Sequence, residues 1–429
     1  MTAEDRTAVL DDLEWRRMIA DHTDLDALRE AMAAGPITLY GGFDPTAPSL
    51  HFGNLVLLVT MRRLQLAGHR PIGLVGGATG LVGDPSGRTS ERTLNDPGVV
   101  EGWVERIRSQ VKRYLSFEGD NAAVIVNNLD WTGEMSAIAW LRDIGKHFSV
   151  SRMLAKEAVS ARLEAGGISY TEFSYQVMQA LDFLELYRRY GCTLQLGGSD
   201  QWGNLTAGVD LIRRVEGATA HALATPLITR PDGEKFGKST GSTLWLDPEL
   251  TTPFAFYQWF LNTDDSVVGI YLRVFSFRTR SEIEALEATS AAKPEAREAQ
   301  RALATEVTAL VHGTDAATAA ARASEALFGQ GDLSSLDAVT LEAAFADLPR
   351  APLPRNDAMP SVIDLLVASG LSDSRGQARR VLAEGGAYVN NERVSDPNAT
   401  PARDDLLAGR WLLLRRGKRN LAVAELDGR

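Results

Sequence analysis

The chain has 429 residues and a mass of 46.5 kDa, and at roughly 150 residues per domain that points to about three domains rather than one core. Hydrophobic residues make up 44% and charged residues 24%, a globular composition that excludes wholesale disorder. Lys and Arg total 45 against 56 Asp and Glu, a net charge of −11, which argues against a protein wrapped along its whole length around nucleic acid.

The single Cys192 excludes an intramolecular disulfide framework and any Cys-based zinc site. The six histidines lack H-x-x-x-H or H-E-x-x-H spacing, so a protein-bound catalytic zinc is not expected. The acidic N-terminus has no apolar core of a secretory signal, and no stretch of about 20 apolar residues could span a bilayer. A cytoplasmic enzyme without membrane contact is the expectation.

Ile37-Thr-Leu-Tyr40 reads as a strand, residues 54–67 as a helix apolar nearly all round, and Pro71-Ile-Gly-Leu-Val75 as a second strand. A helix over 101–115, a strand at Ala123-Val-Ile-Val126, a helix over 171–190 and a strand at Leu194-Gln-Leu196 follow. Strand–helix alternation through about 200 residues predicts an α/β parallel sheet with helices on both faces, filling 1–250. Ligands in such folds sit at the carboxyl ends of the strands. Here those ends run into Gly41-Gly-Phe-Asp-Pro-Thr46, Gly76-Gly-Ala-Thr-Gly80 and Gly197-Gly-Ser-Asp200.

From 251 the character changes. Residues 281–327 are rich in Ala and Glu at helical spacing, so 251–329 is expected as a helical domain. Pro349, Pro352, Pro354 and Pro360 amid small and polar residues suggest a linker over 330–360. Residues 361–429 then form a small α+β unit: two short helices, then strands at Gly385-Gly-Ala-Tyr-Val-Asn390 and Trp411-Leu-Leu-Leu414.

Four segments could carry chemistry. In Asp44-Pro-Thr-Ala-Pro-Ser-Leu-His-Phe-Gly-Asn54 a strand turns through two prolines into a buried helix. That helix start offers free N–H groups to an anion, with His51 and Asn54 on one side and Gly53 admitting a flat ring. Read alone, the same segment is equally a capped helix with a surface histidine. Gly233-Glu-Lys-Phe-Gly-Lys-Ser-Thr240 is a cationic loop suited to polyphosphate, although an isolated loop of this kind can be a solvated turn. Tyr175, Gln179 and Asp182 fall at i, i+4 and i+7, one helix face. Their apolar neighbours suggest a face lining a pocket rather than an amphipathic surface. Gly197-Gly-Ser-Asp-Gln-Trp-Gly-Asn204 offers backbone approach at its glycines, an acceptor at Asp200 and an amide at Gln201, while Arg88 and Arg92 add cations in a separate loop.

Together these segments closely resemble the bacterial tyrosyl-tRNA synthetases, which are class I aminoacyl-tRNA synthetases. His51-Phe-Gly-Asn54 is similar to the HIGH-type motif and Lys235-Phe-Gly-Lys-Ser239 to the KMSKS-type loop. The segments beginning at Tyr40 and Gly197 point to tyrosine. The resemblance implies a Rossmann-like catalytic domain, an anticodon-side helical domain and an S4-like RNA-binding module. It implies that Tyr40 and Asp182 bind the substrate phenol, that Asp84, Tyr175 and Gln179 hold its ammonium, and that Gln201 orients its carboxylate. Asp44, Gly53, Asn54, Gly198 and Asp200 would contact adenosine and ribose. Thr46 and His51 would bind the γ-phosphate region, with Arg88, Arg92, Lys235, Lys238 and Ser239 closing over pyrophosphate.

The implied substrates are L-tyrosine, ATP with Mg²⁺, and tRNA(Tyr), and the implied assembly is a homodimer. In the terminal module Arg375, Arg379, Arg380, Arg415, Arg416, Lys418 and Arg419 would face the tRNA. Gly41 departs from relatives that carry a ribose-touching side chain there, and Asn54 replaces the second histidine of the idealised motif. The rivals are a tryptophanyl-tRNA synthetase, which a para-hydroxyl site at Tyr40 and Asp182 disfavours, and a synthetase-derived RNA-binding protein without activity.

Overall fold

The computed structural model describes residues 2–86, 95–156, 159–160, 162–163, 167–228, 243–327, 332–346, 348–355, 358–417 and 420–426. Two compact units emerge, Met1–Leu250 with Asp264–Glu295 and Thr251–Thr263 with Ala296–Arg429. The first unit opens with helix α1 (Ala3–Trp15), strand β1 (Asp21–His22), helix α2 (Leu25–Ala34) and strand β2 (Thr38–Phe43). It continues with α3 (Phe52–Leu66), β3 (Arg70–Val75), α4 (Pro97–Val111), β4 (Val124–Asn127) and α5 (Tyr170–Tyr190). Strand β5 (Cys192–Gly198), helix α6 (Trp202–Glu216) and strand β6 (His221–Thr225) complete the sheet.

Its strand order is β1-β6-β5-β2-β3-β4. Strands β2 to β6 are parallel, and β1 lies antiparallel at the β6 edge. From β2 the chain winds one way through β3 and β4 and the other way through β5 and β6. The topological switch therefore lies between β2 and β5, where such sheets open a crevice beyond their carboxyl ends.

Helix α3 packs on β2 and β3 and buries Leu55, Val56, Leu58, Val59, Met61 and Leu64, which explains its apolar reading on all sides. Helix α5 is started by the Ser169 side chain, which accepts from the Glu172 N–H, and stopped at Gly191 in the left-handed conformation (φ 63°). Its residues Leu181, Phe183 and Leu184 join Tyr40, Ile72 and Leu74 of the sheet in one core, each contributing about 1.5–3 kcal/mol by burial. Strand β6 was not foreseen from the sequence. Its five residues are all buried, as in a parallel strand covered on both faces, but His-Ala-Leu-Ala-Thr carries little strand propensity.

Helix α7 (Pro253–Leu261) belongs to the second unit, whereas α8 (Asp265–Phe275) and α9 (Arg280–Ala292) belong to the first. Residues 264–295, expected as part of a separate helical domain, are thus tied to the body. Buried Arg16 donates to the carbonyls of Arg273 (2.8 Å), Ser276 (3.1 Å) and Arg278 (2.6 Å). Buried Arg63, from the last turn of α3, donates to the Ser276 carbonyl as well.

In the second unit α7 packs with α10 (Glu298–His312) and α11 (Thr314–Leu327). Residues 330–360, expected as a linker, contain helix α12 (Ala338–Phe345) and strand β7 (Arg350–Leu353). Pro352 suits that strand because β7 is an edge strand, so the proline count misled. Helices α13 (Val362–Ala368) and α14 (Arg375–Ala383) precede β8 (Ala387–Val389), β9 (Glu392–Val394), β10 (Trp411–Arg416) and β11 (Asn420–Leu426). The sheet order is β7-β11-β10-β8-β9. One face buries Leu412 and Leu414 with α13 and α14; the other buries Trp411 and Leu413 with Leu327, Leu341 and Phe345.

Candidate active site

Tyr40, at the centre of β2, is paired with Ile72 of β3 and Gln195 of β5. Its ring packs on Phe183 with centroids 5.4 Å apart. The hydroxyl is buried and has no hydrogen-bond partner among the described residues. Burial and then the nearby Asp182 push this phenol well above its usual range, so it is a neutral donor.

Asp182 is only 2% exposed. Its Oδ1 accepts from Trp131 Nε1 at 2.8 Å and its Oδ2 from Asn128 Nδ2 at 3.0 Å. Burial pushes its carboxyl up to about 7, against the pull of those two donors. Asn128 Nδ2 also reaches Thr79 Oγ1 at 3.0 Å, and the Thr79 hydroxyl donates to Asp44 Oδ1 at 2.6 Å. The Tyr175 hydroxyl donates to Asp44 Oδ2 at 2.7 Å. One hydrogen-bonded chain therefore runs from Asp44, at the end of β2, to Asp182 on α5. Tyr175 and Asp182 are buried and Gln179 half-buried, so this helix face turns inward.

Glycine at the end of β3 makes room for that chain. A Cβ on Gly76 would lie 2.1 Å from Asp44 Oδ1 and 2.3 Å from Thr79 Oγ1. At Gly41 a Cβ would meet Met61 Sδ at 2.7 Å and Leu57 at 3.2 Å. Side chains of α3 fill the space there, so glycine is the residue that fits.

Helix α3 starts at His51. The His51 Nδ1 accepts from the Gly53 N–H at 3.0 Å, and Asn54 Oδ1 accepts from the His51 N–H at 3.0 Å. The segment is a capped helix, and the cap fixes a half-buried histidine rather than one on the surface. Burial lowers the His51 pKa. With Nδ1 accepting, the neutral ring carries its proton on Nε2, away from the cap. Leu244 O accepts from the Phe52 N–H at 2.8 Å, and the Leu246 N–H donates to Leu50 O at 2.9 Å. The segment just after the lysine loop is thus stitched to the start of α3.

On the β5 side the Gln201 Nε2 donates to Asp84 Oδ2 at 2.6 Å, and Asn204 Nδ2 donates to Gln201 Oε1 at 2.9 Å. The Asp200 carboxylate lies over Gly198, where a Cβ would sit 2.8 Å from Oδ1. Thr46 is exposed, with its N–H on Asp44 O at 2.9 Å. Arg88, Arg92, Lys235, Lys238 and Ser239 lie outside the described residues, as do Lys418 and Arg419.

Sequence reading missed Asn128, Trp131, Thr79 and Gln195. Asn128 was accessible as a polar residue one step past a strand end; Trp131 carried no such mark. Gln195 stands out only as an amide in an apolar strand, and neither its Oε1 nor its Nε2 finds a partner among the described residues.

In the second unit Arg379 and Arg380 are exposed on α14. Arg375 pairs with Asp364 at 2.9 Å, Arg416 donates to Leu371 O at 2.7 Å, and Arg415 lies over the Tyr388 ring at 4.1 Å.

A switch-point crevice flanked by a capped histidine helix is the build of a class I aminoacyl-tRNA synthetase, and the family model for tRNA synthetases class I (W and Y) matches residues 32–329. A model for the tyrosine–tRNA ligase SYY-like C-terminal domain matches 340–424. The tyrosine–tRNA ligase of Streptomyces coelicolor is 60% identical over 425 residues, covering 98% of this chain and 100% of the relative. That of Mycobacterium leprae is 55% identical, covering 98% and 99%. The chain belongs to the tyrosine–tRNA ligase family, aminoacyl-tRNA synthetases that use ATP.

Among solved structures, a C-terminally truncated Aspergillus nidulans mitochondrial tyrosyl-tRNA synthetase matches with a TM-score of 0.68 and 31% identity, over 75% of this chain and 94% of that one. A tryptophanyl-tRNA synthetase from Encephalitozoon cuniculi bound to tryptophan matches at 0.53 and 12% identity, over 74% and 92%, and shares the fold alone. No helix among the described residues is long and apolar enough to cross a membrane.

Proposed function

We propose that this chain activates L-tyrosine with ATP, giving tyrosyl-adenylate and pyrophosphate, and then transfers tyrosine to the terminal ribose of tRNA(Tyr), releasing AMP. The observation that carries the pocket assignment is the buried Tyr40 hydroxyl without a partner, close enough to Asp182 for the carboxylate to raise its pKa. A substrate phenol accepts from Tyr40 and donates to Asp182, satisfying both. Phenylalanine would leave the Tyr40 hydroxyl unpaired and give Asp182 no donor beyond Trp131 and Asn128, at a cost of about 1–3 kcal/mol for the buried hydroxyl.

Asp84, Tyr175 and Gln179 hold the ammonium, and Gln201 orients the carboxylate. Tyr175 donates to Asp44 and Gln201 to Asp84, which fixes both side chains and leaves the Tyr175 oxygen to accept from the ammonium. Asp44, Gly53, Asn54, Gly198 and Asp200 line the path of the adenosine.

Tyrosine's carboxylate is already a nucleophile at neutral pH, so attack on the α-phosphorus needs no general base. One carboxylate oxygen bonds to phosphorus as the bond to the bridging oxygen of pyrophosphate breaks. Rate comes from alignment and from donors that bind the transition state better than ATP. His51 Nε2–H and the start of α3 serve the phosphates, with Thr46, Arg88, Arg92, Lys235, Lys238 and Ser239 completing the grip. Mg²⁺ would be carried by the ATP phosphates, neutralising their charge. Among the described residues no group of three or more metal-ligating side chains exists to hold it.

We also propose a homodimer. Half of the exposed large apolar side chains among the described residues fall between 129 and 170: Leu129, Ile138, Leu141, Val150, Leu154, Leu163 and Tyr170. Exposed apolar side chains gathered in one stretch of the chain support an interface there.

Asp182→Ala tests the pocket. Tyrosine-dependent pyrophosphate exchange should be lost while ATP binding persists. Equal loss of both would move the pocket elsewhere.

A further inference from the structure

Three residues meet on one row of the C-terminal sheet. Tyr388 of β8 faces Arg415 of β10 on one side and Arg393 of β9 on the other, in direct register. In an antiparallel sheet, cross-strand partners share a face, the same one on which Trp411 and Leu413 are buried further along β10. The row lies where that apolar cover gives way, since Tyr388 and Arg415 are half-buried and Arg393 is exposed.

The arrangement is electrostatically lopsided. Elsewhere in this unit arginines face carboxylates: Arg350 and Arg410 reach Glu425, and Arg375 pairs with Asp364. Arg393 and Arg415, which flank Tyr388 from the two neighbouring strands, pair with no carboxylate among the described residues. Arg415 stacks on the Tyr388 ring at 4.1 Å, and its Nε is buried without a partner. Arg393 lies over Gly385, where a Cβ would fall 1.4 Å from its Nη2. Glycine there serves two needs, its positive φ of 70° and room for the guanidinium.

We propose that Tyr388, with Arg415 stacked on it and Arg393 beside it, is a platform on which an unpaired nucleobase of RNA stacks. The flat guanidinium and ring offer stacking area, and the two uncompensated cations offer the adjoining phosphates a counter-charge. A double helix fits poorly, because its bases are stacked on one another and present only edges and backbone. The inference rests on the reading of this unit as RNA-binding and extends it. Arg379 and Arg380 on α14 contact phosphate, whereas the Tyr388 row takes a base, so the bound RNA must present a nucleotide free of the stack.

The test uses the full chain and a tRNA(Tyr) transcript, titrated at several salt concentrations. Tyr388→Ala should weaken binding about tenfold without changing the salt slope, because stacking releases few counterions. Tyr388→Phe should bind within about twofold of the parent, since the ring persists. Arg379→Ala with Arg380→Ala should weaken binding and reduce the slope by about 2. Affinity for a blunt RNA duplex should not respond to Tyr388→Ala. If Tyr388→Ala binds tRNA like the parent while the arginine pair is impaired, the platform is wrong and the RNA-binding reading stands. If neither variant loses affinity, that broader reading falls as well. Should Tyr388→Ala fail to fold by thermal melting, photocrosslinking of 4-thiouridine-substituted tRNA to the unaltered chain decides. Crosslinks in the peptide holding Tyr388 support the platform, and crosslinks confined to other peptides overturn it.

Discussion

Asp182 is pulled two ways. Burial favours its neutral form, while Trp131 and Asn128 each donate to one of its oxygens and favour the anion. The balance near 7 puts a titration within the working range of the enzyme. Below that value the carboxyl is protonated, and in the proposed pocket it would have to lose that proton before accepting the phenol O–H. Tyrosine affinity should therefore rise as pH increases through about 7 and level off above it. Equilibrium binding of tyrosine between pH 5.5 and 8.5 checks this, and a flat profile would contradict it. How much of the pocket was legible differs residue by residue. Tyr175, Gln179 and Asp182 could be found because a helix repeats every 3.6 residues and their spacing put them on one face. Trp131 and Asn128 could not be linked to Asp182, because a contact across about fifty residues leaves no periodic trace.

At the scale of elements, carboxyl ends of strands decide where polar groups converge. Gly76 closes β3 and leaves the space that Asp44 and Thr79 occupy. Gly76→Ala should displace both side chains and break the chain of bonds leading to Asn128. Its kcat/KM in pyrophosphate exchange should fall about 10- to 100-fold, equivalent to about 1.4–2.8 kcal/mol. A variant with unchanged kinetics would show that Asp44 is not held through this network. Strand ends marked by glycine runs were readable, and so were strands rich in Val and Ile. Strand β6 was not, because its alanines owe their place to burial between layers rather than to intrinsic preference. The stretch 330–360 shows the opposite error. Its Pro352 is compatible with structure because, among the described residues, β7 is an edge strand that pairs with β11 alone.

The whole molecule reconciles an acidic chain with an RNA substrate. Residues 360–429 carry 11 basic and 9 acidic side chains, a sum of +2, so the remaining 359 carry −11 − 2 = −13. Repulsion from the body should confine tRNA to local cations, chiefly those of the C-terminal unit. Deleting 361–429 would be a poor test of that role. It would strip β7 of its partner strand and uncover Leu341 and Phe345, which pack under Trp411. Point substitutions on the surface are cleaner. For the assembly, Ile138→Asp with Val150→Asp should convert a dimer into a monomer in sedimentation; an unchanged dimer would move the interface elsewhere. The choice of tyrosine is read out by exchange of pyrophosphate into ATP with each of the twenty amino acids in turn. Exchange with tyrosine alone is the expected result, whereas exchange with tryptophan instead, or none with any amino acid, would contradict it.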